Sequence, residues 1–493
     1  MVSRRSVITV GATAGAAALV TTATAAAARG EAPPQAGGPH AAHGAAAHQN
    51  MARGAHLSAA AEPFTCRMPI PAVQQPVASA GNTDFYVVTA RKANVEILPG
   101  TRTEVMTYDG KFPGPTFKVR TGRLAVVVHT NHLDMPTAAH LHGGHVPSSS
   151  DGFPTDVLVP GRSRVYNYPN KQRAATLWYH DHAHHMEAEH VFRGLAGFYL
   201  IEDPAQAELR LPSGDYDIPI MLRDARFADD ASLVFEPDDF ENRNTILANG
   251  KPQPYFRVAA RKYRLRFLNA SNLRTFALRL GNDTEVTQIA SDGGLLAGPT
   301  PVRGWAMTPG ERVEVVVDFS QFPVGSQVFL QDALAGPVLR FDVNRTAVDR
   351  SRVPDRLSSI PTPRAATNER AFTLNLDPQT FQFVINGQAF DPNRVDTEIK
   401  RGTTEVWSIT NGDTMFGIPH NFHPHLVQFQ VLDRNGQPPA PGESGFKDTI
   451  GIAPGETVRI QATFGDYVGR YVYHCHMIDH SAAGMMAQMS IVP

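Results

Sequence analysis

Near its C-terminus the chain reads His474-Cys475-His476-Met477-Ile478-Asp479-His480, followed by Gly484-Met485-Met486. Read as the last strand, this stretch turns Cys475 to one face and His474 and His476 to the other, because neighbouring side chains of extended backbone alternate. One run of backbone could thereby join two metal sites. On the cysteine side, a thiolate with His480 five residues on and Met485 ten residues on offers a soft sulfur, an imidazole and a weak thioether, the donor mix of a blue-copper centre. On the other side, His474 and His476 need further imidazoles.

Three more His-x-His pairs lie upstream: His140-Leu141-His142 before Gly143-Gly144, His180-Asp181-His182 within Trp178-Tyr179-His180-Asp181-His182, and His423-Pro424-His425. Each, if extended, sets two imidazoles on one face about 7 Å apart. A single such pair is most often structural. Four pairs, one of them flanking a cysteine with a downstream His and Met, point instead to metal, and their eight imidazoles are too many for one ion. His420, three residues before His423, joins His480 and Cys475 to make two imidazoles and a thiolate.

With these motifs the sequence resembles the multicopper oxidases from about residue 80 to the C-terminus. The wording Leu141-His142-Gly143-Gly144 and Trp178-Tyr179-His180-Asp181-His182-Ala183 is most similar to the branch of spore-coat laccase, bilirubin oxidase and phenoxazinone synthase. The resemblance implies four copper ions: a type 1 copper held by His420, Cys475, His480 and axial Met485, a type 2 copper held by His140 and His423, and two type 3 coppers shared among His142, His180, His182, His425, His474 and His476. It also implies a proton-supplying role for Asp151, in Ser150-Asp151-Gly152, where relatives of this branch keep an acid near the trinuclear cluster; the plain alternative is a turn residue. One departure stands out. Many bacterial relatives place a Glu directly after the last His of the motif, whereas this chain has Ser481, with Asp479 one residue before His480. Asp181, between two ligand histidines, points away from the copper face and reads as a supporting residue.

The elements that must position these residues are strands. Thirty-eight prolines and forty glycines scattered among short Val/Ile/Phe-rich runs favour strands and turns over long helices, so an all-β chain is expected. A phrase repeats about every 140 residues: Phe117-Lys118-Val119 leading to Asn131, Phe256-Arg257-Val258 leading to Asn269, and Ile399-Lys400-Arg401 leading to Asn411. A Pro-Gly turn feeding an alternating strand recurs with it, at Pro160-Gly161, Pro309-Gly310 and Pro454-Gly455. Three related β-barrel domains follow, each a cupredoxin-like Greek-key barrel by the resemblance. Their expected extents are 63–204, 205–345 and 365–493, with an Arg/Pro/Ser-rich linker over 346–364. The second holds no histidine and reads as a spacer orienting the other two, which each give four imidazoles to the trinuclear site.

Residues 1–28 read as a twin-arginine export signal, Arg4-Arg5 preceding an apolar stretch too short to span a membrane and then an Ala-rich run. An extracellular, cell-surface or periplasmic protein is expected, with no stable membrane insertion. Residues 29–62, rich in Ala and Gly with His40, His43, His48 and His56, read as a disordered segment with a copper-gathering tail as the bolder alternative. Cys66 has no internal disulfide partner once Cys475 is a ligand. The run His184-His185 to His190 reads as polar and exposed. A net charge of −2 with 19% charged residues asks for no nucleic acid or anionic membrane. Oligomeric state is not legible.

The resemblance implies a copper-dependent oxidoreductase that takes single electrons from a small aromatic substrate near His480 or His420, passes them from Cys475 along the backbone to His474 and His476, and reduces O2 to water. Phenols, aromatic amines or tetrapyrroles are the expected donors, as for laccases. The alternative is a metal-ion oxidase for Cu(I), Fe(II) or Mn(II) serving copper homeostasis, which calls for an acidic or Met-lined patch near His480 that the sequence does not reveal. A copper-free structural relative is a third class, opposed by the complete ligand set.

Overall fold

Alternation makes the strands. Leu124–Asn131 switches residue by residue between half-exposed and buried, and the same pattern recurs in Thr83–Val95 and Gln327–Asp332, so each strand presents one face to a core. The computed structural model describes residues 61–493. The expected export signal and nearly all of the Ala/Gly/His segment, including His40, His43, His48 and His56, lie outside the described residues.

The chain is all-β and forms three cupredoxin-like barrels, each of two facing sheets. In the first, a sheet containing Thr116–Arg120, Ala196–Glu202, Ala175–Asp181 and Ala139–His142 faces one built on Thr83–Val95, Leu124–Asn131 and Ser163–Tyr168, around Tyr86, Val127, Tyr166 and Tyr199. The second pairs a seven-stranded with a five-stranded sheet around Phe267, Phe276, Val315 and Phe341. The third pairs a six-stranded with a five-stranded sheet, and its core takes in Cys475 and Met485 beside Trp407 and Phe422.

The repeated phrase has a physical reason. Asn131, Asn269 and Asn411 end equivalent strands, and each is fully buried with the same bonds. The side-chain amide donates to two carbonyls, of Met135 and Leu158, of Arg274 and Met307, and of Ile418 and Ile452. The side-chain oxygen accepts the backbone N–H two residues on, at Leu133, Ser271 and Asp413. The backbone carbonyl of each accepts from the glycine of the Pro-Gly turn, Gly161, Gly310 and Gly455. One asparagine thus ties the end of a strand to the turn that starts its antiparallel neighbour.

Two local expectations change. The strand carrying the Cys motif is Gly469–His474; it stops at His474, and a short helix, Ile478–Ala482 (α2 below), follows before the final strand Met486–Val492. The segment after His182 is no exposed loop: Glu187–Arg193 is a helix, α1, whose Glu187, Ala188, His190, Val191 and Phe192 are buried. Its apolar face packs Ala188 and Val191 on Ile478 of α2, a helical spacing hidden by the polar composition of the run. Residues 64–68 run along the second barrel, through Phe64 N to Gln253 O, Met68 N to Tyr255 O and Tyr255 N to Cys66 O, and Met68 enters its core. Within 346–364, Leu357 is buried among Leu211, Ile289 and Val316.

The barrels are joined by buried charge. Arg266 of the second barrel donates to Asp217, to Glu314 and, across to the first barrel, to Thr176 Oγ1, while Thr176 donates to Glu314 at 2.7 Å.

Replacing Asn131, Asn269 or Asn411 by Ala removes three side-chain bonds at a fully buried point, so each variant is expected to lose about 2–4 kcal/mol of stability. Denaturant midpoints of the three variants check this, and one that matches the parent would show that the shared bonds do not hold that turn.

Candidate metal centre

Two strand pairs bring the histidines together. In the first barrel the strand Ala139–His142 pairs antiparallel with Ala175–Asp181, setting His140 opposite His180. In the third, His423 pairs opposite His474. All eight histidines of the four pairs are buried, and they meet between the two barrels. The His140 ring stacks on His425 and the His142 ring on His423, both with centroids 3.7 Å apart.

The ring nitrogens face one another. His140 Nε2 lies 3.5 Å from His423 Nε2, His474 Nε2 lies 3.2 Å from His182 Nε2 and 3.3 Å from His425 Nε2, and His476 Nε2 lies 3.4 Å from His180 Nε2. The opposite edge of most of these rings is committed as a donor: His140 Nδ1 to the Asp151 carbonyl, His423 Nδ1 to the Asp448 carbonyl, His425 Nδ1 to Asp151 Oδ2, His180 Nδ1 to the Asp181 carbonyl, and His474 Nδ1 to the Cys475 carbonyl. In the pairs His140/His423 and His425/His474 both facing nitrogens therefore carry lone pairs, which repel unless a cation lies between them. His142 is turned the other way. Its Nε2 bonds Asp448 and Thr449, and its Nδ1 has no partner among the described residues.

Burial drives every one of these imidazoles toward its neutral form, His180 to about 4, and neighbouring imidazoles push most of them further. Neutral imidazole is the ligand form. Three groups, His140/His423/His425, His182/His425/His474 and His140/His142/His180, hold their donor atoms within 4.8 Å of one another.

A fourth group is separate. Cys475 Sγ lies 3.8 Å from His420 Nδ1 and 3.7 Å from His480 Nδ1, which are 3.2 Å apart. His420 is fixed from behind by Nε2 donating to Asp413 at 2.6 Å. Burial pushes the Cys475 thiol up to about 12, so it becomes a thiolate only against a cation. Met485 is fully buried in the same core. Trigonal His2Cys sets of this kind suit copper, and the sequence-expected residues of both sites are thus brought together.

Two carboxylates, one from each barrel, position four rings. Asp151 holds His140 through its carbonyl and His425 through its carboxyl; Asp448 holds His423 through its carbonyl and His142 through its carboxyl. Burial raises Asp151 to about 6, with His140 pulling the other way, and its Oδ1 has no hydrogen bond among the described residues. Asp448 is gripped by Arg312 of the second barrel through two bonds of 2.6 Å, and Asp292 supports the same guanidinium. Sequence reasoning missed Asp448, Asp413, Asp292 and Arg312. The second barrel, read as a spacer, reaches the histidines directly: Gly310, at φ +87, lies so close that a Cβ there would sit 2.9 Å from His476 Nδ1 and 3.1 Å from His142 Cε1. The Pro309-Gly310 turn of the repeat was the available signal. Asp181 is a supporting residue as expected, accepting from Ala138 N and His190 Nδ1 while its carbonyl orients His180. Asp479 is clamped by Arg243 and Asn272 of the second barrel.

Sequence models of the multicopper oxidases match residues 89–206, 225–337 and 361–493. The laccase of Bacillus subtilis is 35% identical over 87% of this chain and 98% of its own length, and the bilirubin oxidase of Albifimbria verrucaria is 36% identical over 86% and 80%. The crystal structure of a laccase from Pediococcus acidilactici superposes with a TM-score of 0.83 at 34% identity, over 88% of this chain and 95% of that one. This chain belongs to the multicopper oxidases, and it is a copper-dependent oxidoreductase that uses O2 as acceptor.

Gly310→Ala places a methyl group against two candidate ligands and forces an L side chain into the left-handed region at a further cost of about 1–2 kcal/mol. Elemental analysis is expected to find fewer copper ions per chain with the circular dichroism unchanged; a full copper complement would show that this close approach is not needed.

Proposed function

We propose that the protein is a laccase-like oxidase that couples one-electron oxidation of small phenolic or aromatic-amine donors to four-electron reduction of O2 to water. In this reading His420, Cys475, His480 and Met485 hold a type 1 copper, His140 and His423 a type 2 copper, and His142, His180, His182, His425, His474 and His476 two type 3 coppers. The observation that carries the donor class is the face above His480. Phe383 stacks on the His480 ring with centroids 4.2 Å apart and planes 17° from parallel, and it covers that ring, both being buried at 9% and 5% exposure. Phe381, Met415 and Phe416 are exposed on the two adjoining turns, which Asp413 ties together by accepting from Leu376 N. An apolar, aromatic rim recognises a flat organic ring.

When bound, copper supplies the one-electron redox chemistry that no side chain offers. The protein's residues do the rest. Asp413 holds His420 in one orientation, and the peptide of Cys475 joins His474 and His476 directly to the thiolate residue, so the two donor sets share one covalent run of chain. Asp151, buried and bonded to His425, keeps its carboxyl beside the cluster and is placed to move protons there. Export of the folded protein by the twin-arginine route belongs to the same reading and rests on Arg4-Arg5 and the run that follows.

A second reading, oxidation of metal ions, is favoured by one feature the sequence did not reveal. The acidic run Glu236-Pro237-Asp238-Asp239-Phe240-Glu241 of the second barrel meets α2, through Asp238 N donating to Asp479 beside His480.

Oxygen consumption by the copper-loaded protein, compared across a dimethoxyphenol, an o-aminophenol, bilirubin, Cu(I) and Fe(II), is expected to favour the organic donors; turnover confined to the metal ions would reverse the choice. Cys475→Ser is expected to abolish the blue absorption and organic oxidation while copper remains at the histidine cluster, and a variant that stays blue would refute the type 1 assignment. Asp151→Asn is expected to slow O2 turnover on the order of 10²-fold without altering anaerobic reduction of the blue chromophore by the donor.

A further inference from the structure

Buried charged groups in this molecule are generally paired, Arg312 with Asp448 and Arg266 with Asp217 and Glu314 among them. Glu187 is different. It opens α1 at 1% exposure, and neither carboxyl oxygen has a hydrogen-bond partner among the described residues. The carboxyl lies between Asp181, on the strand that carries His180, and Ser481, on α2 directly after His480. The Ser481 hydroxyl is spent on the Ile478 carbonyl at 3.0 Å, although its proximity still favours the charged carboxylate a little.

A carboxylate so placed has lost its water and keeps only weak support for its charge, from nearby backbone N–H groups and Ser481. Burial first, then the charge of Asp181, raises Glu187 to about 8, which leaves the neutral acid as the resident form at pH 7. The titratable or charged groups on the surrounding elements are Asp181 and His180 on the strand Ala175–Asp181, Asp479 and His480 on α2, Tyr108 and Glu104 on the strand Thr103–Tyr108, Glu189, His190 and Arg193 on α1 itself, and Arg243 and Asp238 on the second-barrel segment over α2. His190 neutralises Asp181 at 2.8 Å, and Arg243 neutralises Asp479. Among the described residues no cation is bonded to Glu187, and it belongs to none of the groups that could hold a metal ion.

Reduction of one O2 takes four electrons, here from four one-electron donors, and four protons, giving two waters. The protons must cross a buried interface. Asp151 lies on the side of His140 and His425; on the side of His180 and α2, the residue after His480 is Ser481, whose hydroxyl is no acid at neutral pH. The carboxyl found against that serine comes from another helix. We propose that Glu187, a buried and unpartnered carboxyl beside α2, is a proton-relay residue on this side of the cluster: it gives a proton inward during O2 reduction and is reprotonated from solvent, with no net change in the side chain.

This inference rests on the oxidase reading but not on the identity of the organic donor, so the test uses ferrocyanide, an inorganic one-electron donor, with the full-length copper-loaded protein. Glu187→Gln keeps the shape and neutrality of the protonated acid and cannot release a proton, so folding is preserved. Infrared spectra of parent and variant, with and without copper, are expected to differ by the carbonyl band of a buried carboxylic acid, which in the parent fades as pH rises through about 8. Steady-state O2 consumption in Glu187→Gln is expected to fall on the order of 10²-fold while anaerobic reduction of the blue chromophore keeps its rate. Adding Ser481→Glu to that variant is expected to restore at least a tenth of the parent rate. The proposal is overturned by carboxylic-acid bands that are identical in the parent and Glu187→Gln, by O2 turnover that keeps its rate and pH profile, or by failure of the double variant to recover. If phenols fail as donors while ferrocyanide and Fe(II) succeed, the donor assignment falls and the proton assignment stands.

Discussion

Lone pairs turned toward each other across the boundary of two barrels are the constraint from which most of this molecule follows. His140 and His423, and His425 and His474, each spend one ring N–H on a fixed oxygen and present the bare nitrogen to the other within 3.5 Å. Apolar packing cannot favour that arrangement, and burial has already removed the protons that would relieve it. A metal ion would supply the missing attraction, so metal binding would also contribute to the docking of the first barrel on the third. The chain belongs to a family built on copper, and its donor set fits that ion.

Holding such a site requires a rigid frame around it, and the frame is made of paired buried charge. Asp151 and Asp448 each govern two rings, one through the peptide carbonyl and one through the carboxyl. Arg312 ties Asp448 to the second barrel, while Arg266, Glu314 and Thr176 tie the second barrel to the first. A barrel without a histidine is therefore part of the centre. It sets where Asp448 can be, and its Gly310 gives His142 and His476 room that no other residue would leave.

The surface above His480 has a different character, set by Phe383 and the exposed apolar side chains near it on one side and by the acidic 236–241 run on the other. On the reading proposed above, electrons and protons enter at different neighbours of α2. The ring of His480 faces Phe383, whereas α1 brings the Glu187 carboxyl to the next residue, Ser481, from behind.

The candidate ligand set was legible in the sequence because metal coordination demands particular atoms at short spacings along strands: three His-x-His pairs, the His-Cys-His run and His420 each carry that demand locally. The three barrels were legible for a similar reason, since each Asn and Pro-Gly turn repeats a local bonding pattern. Helix α1 was not, because its few apolar residues only make a face when α2 is present to receive them. Nor were Asp448, Arg312 and Gly310, whose meaning lies in contacts between residues more than a hundred positions apart. Local sequence was enough to say which side chains can bind metal and how many barrels carry them. Only the tertiary structure decided which nitrogen of each ring faces the interior, which acids hold those rings, and that an unpartnered carboxyl from α1 comes to rest against Ser481, because burial and pairing are properties of the assembled neighbours rather than of any segment alone.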